Sequence, residues 1–533
     1  MMAGQDLIDP FWVTVFLGII TVLFLYWYST RNFDYWKKRG IPYVKPTVPF
    51  FGSTFSALYK PFHEIELERY RKYGPLYGHF EGNRPALSVA DLKLIREVVV
   101  KEFSSFADRR DFLSGNVIVD SMLFSLRGEH WKRVRSIVSP TFTTGKIRRM
   151  VSIIKECSQT LVDNFKKVSR SGRPFQAKEF YGAFSIDVIA SSAFSTKLDS
   201  HNDPKNRFVQ SAKIAFSSDF SFRFAIHQLF PRLAKMLGIP VISPEPMKFF
   251  KDVTLQIIDQ RKKTGQTRND FLQLLMDTAK EVSQEQKWEN DKDGITSNYG
   301  QDESSHQTGK NVSNKNLTLD ELVGQCVIFF LAGYDTTAST LSYASYLLAL
   351  HPEIQAQLYD ELRDVLQKTN GELTYEALQE MKYLDNVISE SMRIYPAVTR
   401  LERMTVADCK LGDTGVTVPK DMIVTIPIYA LQRDPKLFPD PEKFDPNRFT
   451  PEERAKRDPY AFMPFGAGPR NCVGMRFALM EVKVCLAYVI ANFKLLRCLE
   501  TKVPLQFHLG PGLLITKNLA LKLEERTDKI LLK

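Results

Sequence analysis

The chain has 533 residues, with 72 Lys and Arg against 61 Asp and Glu for a net charge of +11, and is 44% hydrophobic and 25% charged. Such values exclude a disordered or fibrous chain and suffice for a large buried core. Six cysteines without a CxxC pair argue against a disulfide scaffold, and the positive excess suits an anionic membrane surface, an acidic protein or nucleic acid.

The first predicted element is an apolar helix. Phe11 to Tyr28 carries no charge over eighteen residues and has aromatic residues at both ends, the pattern of a membrane-spanning helix with rings at headgroup level. Asp6 and Asp9 precede it and no small-x-small cleavage site follows, so it reads as a retained signal-anchor rather than a cleaved leader. Arg31, Lys37, Lys38 and Arg39 come next, and the positive-inside rule then places the following chain in the cytosol. There the sequons at Asn311 and Asn316 never meet the glycosylation machinery. Gly40 to Gly52 holds three prolines and reads as a stiff extended segment. The expected division is an anchor (1–30), a basic, proline-rich linker (31–52) and one body (53–533).

Within the body, helical periodicity dominates over Pro61–Tyr73, Trp131–Val138, Lys146–Val168 and Pro352–Gln367. Short strands are expected at Leu76–Phe80, Ala86–Val89 and Met422–Ile428, so the fold class is mainly α with a minor β-sheet. Ser283 to Asn316 is polar and reads as a mobile surface insert. Thr318 and Glu321 then have capping-box spacing and open a long apolar helix that runs to His351 and Pro352. Asp335, Thr336, Thr337, Ser339 and Thr340 at its centre would be costly in lipid, so it is expected to cross the core, not a membrane.

Phe465 to Gly474 reads FGAGPRNCVG and leads into a helix, which sets Cys472 in a glycine-containing loop at a helix N-terminus. Backbone N–H groups and the helix dipole favour a thiolate there, Arg470 adds a cation, and Gly466 and Gly468 let the backbone approach something bulky. An axial thiolate on a haem iron needs this environment. Cys157, Cys326, Cys485 and Cys498 read as small buried hydrophobes. Glu390 and Arg393 in ESMR form an i, i+3 pair, and Trp131 and Arg135 in WKRVR lie one helical turn apart.

The stretch around Cys472 resembles the haem-binding signature of the cytochromes P-450 at every fixed position, with Phe465 as its first residue. HWKRVRSIVSPTFTTGKI, AGYDTT, RLER and IPIYALQRDP extend the resemblance over more than nine-tenths of the chain, nearest to the microsomal third family, the 3A-like clan that oxidises drugs and steroids. The polar insert departs from that family's vertebrate members and marks a divergent branch, read as invertebrate.

The resemblance implies the P-450 fold, a single haem-centred body with one N-terminal transmembrane helix, and haem b with Cys472 as axial ligand. Trp131, Arg135, Arg109, Arg403 and Arg470 are then its propionate contacts. Arg448 joins Glu390 and Arg393 in a structural charge network, Gly333 opens space at the distal face, and Asp335 with Thr336 relays protons to dioxygen. The substrate pocket is expected from Phe112 to Phe124, from Phe216, Phe220, Phe222, Phe224 and Phe230, from Leu331 and Ala332, from Ala397, Val398 and Thr399, and from Gly512, Leu513 and Leu514. The phenylalanines near Phe220 are interrupted by Ser217, Ser218, Asp219 and Ser221, which suggests a mobile lid dipping into the membrane.

No GxGxxG follows a strand, so electrons are expected from a partner, NADPH-cytochrome P-450 reductase with its NADPH, FAD and FMN, and from cytochrome b5 as a further donor. Lys132, Arg133, Lys146, Arg148 and Arg149 are the docking candidates. The expected activity is monooxygenation of lipophilic xenobiotics or steroids at the endoplasmic reticulum membrane, with the body on the cytosolic face and no nucleic-acid role. Two alternatives are a haem-thiolate isomerase or dehydratase acting on a peroxide without a reductase, and a haem-binding sensor or carrier without turnover. Intact Asp335 and Thr336 speak against the first, and the full motif set against the second.

Overall fold

The computed structural model describes residues 10–110, 115–215, 218–268, 270–281, 316–510, 512–528 and 530. Phe112, Phe216 and the polar insert up to residue 315 lie outside them, as does the side chain of Phe220. Helix α1, Pro10–Thr30, is 21 residues and about 31 Å long, enough to cross a membrane, and no residue of its apolar window is buried. After it, Trp36 is buried and donates its indole N–H to the His79 carbonyl at 3.1 Å, and residues 43 to 52 form isolated bridges to the first sheet.

The elements that place the site follow in chain order. They are α2 (Phe62–Tyr73), β1 (Leu76–Glu81), β2 (Arg84–Val89), α3 (Gly128–Val138), α4 (Thr144–Ser171), α5 (Ala177–Phe194), α6 (Ser218–Leu229), α7 (Leu319–Leu350), α8 (Pro352–Lys368), α9 (Lys382–Ile394), β3 (Leu401–Met404), β4 (Ile423–Ile426), α10 (Met475–Asn492), β5 (Phe493–Leu496) and β6 (Ala520–Glu525). The first sheet has the order β1-β2-β4-β3; β2 and β4 run parallel and the other neighbours antiparallel, with Ala86 opposite Ile423 and Arg403 opposite Val424. The second joins Phe175–Gln176, β6 and β5.

Helix α7 begins at the expected capping box: Thr318 Oγ1 accepts from the Glu321 N–H, and Glu321 accepts from that of Thr318. It is 32 residues, about 48 Å, and most of its residues are buried, so its apolarity belongs to a core helix. Its centre lies against α5. A Cβ on Gly333 would come within 2.6 Å of Ile189 Cδ1, so this glycine permits the close approach of α5. The strand expected over Met422–Ile428 ends at Ile426, because Pro427 has no N–H to pair and Ile428–Leu431 turns into a helix. Cys326 and Cys485 are buried, whereas Cys157 and Cys498 are only half-buried.

Candidate active site

Cys472 precedes α10 by three residues, in a loop whose ends are tied by the Cys472 N–H donating to the Phe465 carbonyl at 2.8 Å. The loop can fold this tightly because Gly466 and Gly468 have φ of +75° and +71°. A Cβ on Gly468 would stand 1.8 Å from the Val99 carbonyl oxygen, so no other residue fits there. Cys472 is solvent-accessible, yet protein surrounds it so closely that burial raises its thiol pKa, which is the condition of a side chain lining an internal cleft. The Gly474 N–H and the Arg135 and Arg109 charges oppose that rise.

Four arginines from distant parts of the chain meet at this loop. Arg135 Nη1 and Nη2 donate to the Asn471 carbonyl and Oδ1 at 3.0 and 2.7 Å, and Arg109 Nη2 donates to the Arg470 carbonyl at 3.3 Å. Arg403 Nη2 reaches the Ala467 carbonyl at 3.4 Å. Arg470 donates to the Ala107 and Leu126 carbonyls at 2.7 and 2.9 Å and lies 4.2 Å over the Trp131 ring. Arg470 pairs with Asp108 at 3.4 Å, while Arg109 and Arg403 have no ion pair among the described residues. Burial, reinforced by the charge of Arg109, brings Arg403 down to about 9 and, with Arg403 added, Arg470 down to about 8. Positive charge is thus concentrated beyond what its surroundings neutralise.

A second network is balanced. Arg393 Nε and Nη2 donate to both oxygens of Glu390 at 2.6 and 2.9 Å, and its Nη1 donates to the Gln432 carbonyl at 2.8 Å. Arg448 Nε lies 3.4 Å from Glu390 Oε1, which also accepts the Asp445 N–H at 3.0 Å. The three predicted residues therefore do come together.

The family model for cytochrome P450 matches residues 42–523, a span that contains every one of these groups. The chain belongs to the cytochrome P450 family. It is 39% identical to cytochrome P450 3A31 of Mesocricetus auratus over 513 residues, 95% of each chain. It is 40% identical to cytochrome P450 3A11 of Mus musculus over 91% of this chain and 92% of that one, and 38% identical to cytochrome P450 3A9 of Rattus norvegicus over 99% of both. It is a 3A-like P450 monooxygenase, and membership implies a haem cofactor.

The residues fit that group. Cys472 offers an accessible sulfur, and two buried guanidinium atoms, Arg403 Nε and Arg470 Nη1, have no hydrogen-bond partner among the described residues. An anionic ligand would give both a partner and offset the excess charge.

On α7 Ala332, expected in the pocket, is exposed and Thr336 is half-buried one turn later, whereas Leu331, also expected there, is buried. Thr336 Oγ1 donates to the Ala332 carbonyl at 2.7 Å. Asp335 lies about 100° round the helix from Thr336. Its carboxylate is 2.8 Å from Lys178 Nζ of α5, and Lys178 also donates to Ser339 Oγ at 2.5 Å. The structure thus sets the expected acid and alcohol on different faces, joined by backbone alone.

Of the other pocket candidates, Phe124 is exposed and stacks 4.9 Å from Arg109, which puts it beside the arginines. Phe222 is 66% exposed on α6. Val398 pairs with Leu513, and the Leu514 N–H donates to the Ala397 carbonyl at 3.0 Å, so these two segments form one wall, in which Leu514 itself is buried. Among the basic candidates Arg133 is not a free surface charge: it is paired with Glu321 of the capping box and donates to the Asn316 carbonyl at 2.6 Å. Lys132 pairs with Glu129 at 2.7 Å and Arg148 with Glu376 at 2.6 Å, whereas Arg149 is exposed.

Sequence reasoning missed Asp108, Asn471 and Lys178. Asn471 was within reach, since it lies inside the signature between Arg470 and Cys472. Lys178 is 157 positions from Asp335, and no local pattern announces their pairing.

Proposed function

We propose that this P450 inserts one atom of dioxygen into lipophilic xenobiotics or steroids, with electrons from NADPH delivered by the FAD- and FMN-containing NADPH-cytochrome P-450 reductase. The observation that carries this reading is the gathering of Trp131, Arg109, Arg135, Arg403 and Arg470 around the accessible sulfur of Cys472. The Cys472 thiolate and those arginines would hold haem b by its iron and its propionates, and the cofactor would supply the reductive activation of dioxygen.

The chain's own residues do the rest. Ala332 leaves room beside α7 for substrate, and the wall formed by Val398 and Leu513 excludes water from it. Thr336 holds a proton at Oγ1, released from its bond to the Ala332 carbonyl when an acceptor enters the cleft. Asp335, on another face of α7, keeps its pair with Lys178, whose side chain is 23% exposed, so the proton of Thr336 is replenished by water that enters the cleft. Glu390, Arg393 and Arg448 keep the core rigid beneath the cofactor. Helix α1 anchors the body (53–533), through the linker 31–52, on the cytosolic face of the endoplasmic reticulum, and Phe222 marks a membrane-facing substrate entrance. The reductase, and cytochrome b5 as a second donor, dock where Lys132, Arg148 and Arg149 lie, exchanging the local carboxylates of the first two for those of the partner.

The test is turnover of a steroid probe by the purified chain in phospholipid vesicles with reductase. We expect oxidation that requires both NADPH and dioxygen. Conversion of a lipid hydroperoxide without NADPH, and no NADPH-dependent product, would instead establish an isomerase or dehydratase. In the same assay Thr336→Ala should keep its haem while most reducing equivalents emerge as hydrogen peroxide; unchanged coupling would remove Thr336 from proton delivery.

A further inference from the structure

The turn between β1 and β2, Glu81 to Arg84, touches two other parts of the chain. On one side Asn83 Nδ2 donates to the Tyr28 carbonyl of α1 at 3.0 Å, and the Asn83 carbonyl accepts from Asn32 Nδ2 at 3.0 Å. On the other side Gln228, buried in the last turn of α6, donates Nε2 to Glu81 Oε1 at 2.7 Å, and Arg84 donates to the Gln228 carbonyl. The end of the anchor helix and the end of α6 are therefore both bonded to one short turn.

Glu81 is itself immobile. Its Oε2 is 2.7 Å from Arg110 Nη2, Arg110 Nε is 3.1 Å from Glu402 Oε2, and Arg400 lies 3.6 Å from Glu81, all in the interior. Arg110 and Glu402 are sequence neighbours of Arg109 and Arg403, and the two backbones are tied by the Met404 N–H donating to the Asp108 carbonyl at 2.8 Å. Glu81 thus belongs to the frame that carries the arginines of the cysteine loop. Two further bonds of helix α6, from His227 to the Ile239 carbonyl, 2.7 Å, and from Arg223 to the Pro240 carbonyl, 3.4 Å, go to the segment that follows it. A hydrogen bond to a buried carboxylate is stronger than one between neutral groups, and the carbonyls of a last helical turn need donors from outside the helix. Gln228 supplies the first and Arg84 the second.

We propose that Gln228 is a positioning residue for substrate admission: its bond to Glu81 latches α6 to the β1–β2 turn, so that admission requires the latch to open. This rests on the reading that α6, through Phe222, borders the entrance. Substrate then exchanges at a rate set by the latch, while the chemistry at Cys472 does not depend on it.

Two variants reach the latch from opposite sides, Gln228→Leu, which keeps the size and removes the donor, and Arg84→Gln, which removes the bond to the Gln228 carbonyl. The full chain, loaded with haem and placed in phospholipid vesicles, is mixed rapidly with a steroid that shifts the haem spectrum, and amide hydrogen exchange of α6 is followed in the same samples. We expect association and dissociation rate constants to rise together by about tenfold, faster exchange in the last turn of α6, an unaltered reduced carbon monoxide spectrum, and an unchanged turnover number at saturation. Wild-type rates and exchange in both variants would overturn the proposal, and so would loss of the carbon monoxide spectrum in both, which would make the bonds a requirement of folding. Phe222→Ser separates the two levels. If it leaves steroid binding and vesicle association unaltered, the entrance reading fails; if it changes them while the latch variants change nothing, the latch alone fails.

Discussion

Arg393 and Arg470 are both buried guanidiniums, 0% and 3% exposed, and their surroundings differ in one respect. Around Arg393 the charges are matched: Glu390 takes two of its N–H groups, Gln432 a third, and the carboxylate also accepts the Asp445 N–H and is ion-paired with Arg448, whose Nε makes no hydrogen bond among the described residues. Around Arg470 three more arginines gather, Asp108 is its ion-pair partner, and Nη1 is left without an acceptor among the described residues. A network whose charges cancel suits the fold. One with surplus positive charge beside an accessible cysteine suits a ligand that is not part of the chain.

The largest effect should come from breaking the matched network. Arg393→Ala strands the buried Glu390 carboxylate, which burial already pushes upward, and should cost about 3–5 kcal/mol. Thermal unfolding and the yield of haem-loaded protein check this, and near wild-type stability would dissolve the contrast between the clusters. The surplus cluster should respond with the opposite sign. Arg403→Leu relieves repulsion and a desolvated charge, so the haem-free chain should gain about 1–2 kcal/mol, within the range known for replacing buried charges by apolar groups. The haem-loaded chain should at the same time lose its haem faster to a haem-scavenging globin. Destabilisation of both forms would place Arg403 with the structural residues.

Glu481 on α10 sharpens the contrast as a lone buried acid. It has no cation beside it among the described residues, and burial lifts it to about 8 although the nearby Ser185 hydroxyl opposes the rise. It resolves the imbalance by keeping a proton instead of binding a ligand. Its pKa is raised in the folded state, so its contribution is fully present below about pH 4.5 and is lost as pH rises towards about 8. The melting temperature should fall more across that window in the wild type than in Glu481→Gln. Parallel profiles would show that Glu481 is already satisfied.

What the sequence made legible follows the same division. The loop from Phe465 to Gly474 and the pair Glu390 and Arg393 are local patterns, and local geometry alone brings their atoms together. The capping box at Thr318 and Glu321 was readable for the same reason, since three residues of helix geometry determine it. What a residue meets across the fold was not readable. The missing side chain of Gly333 accommodates Ile189 of another helix, a contact no local pattern announces. Asp335 and Thr336 are neighbours in the chain, yet a rotation of about 100° turns Asp335 to Lys178. Arg133 lies in a basic run, yet a buried acid 188 positions away claims it. Tertiary packing decides each of these, and one sequence carries no record of it.

The claim that the surplus charge and the open cleft serve a haem bound through one particular sulfur has a direct test, the difference spectrum of the reduced protein with carbon monoxide. Cys472→Ser should abolish the thiolate-type band, and Cys485→Ser, which alters a buried cysteine of α10, should leave it intact. A thiolate-type band that survives in Cys472→Ser would contradict the account.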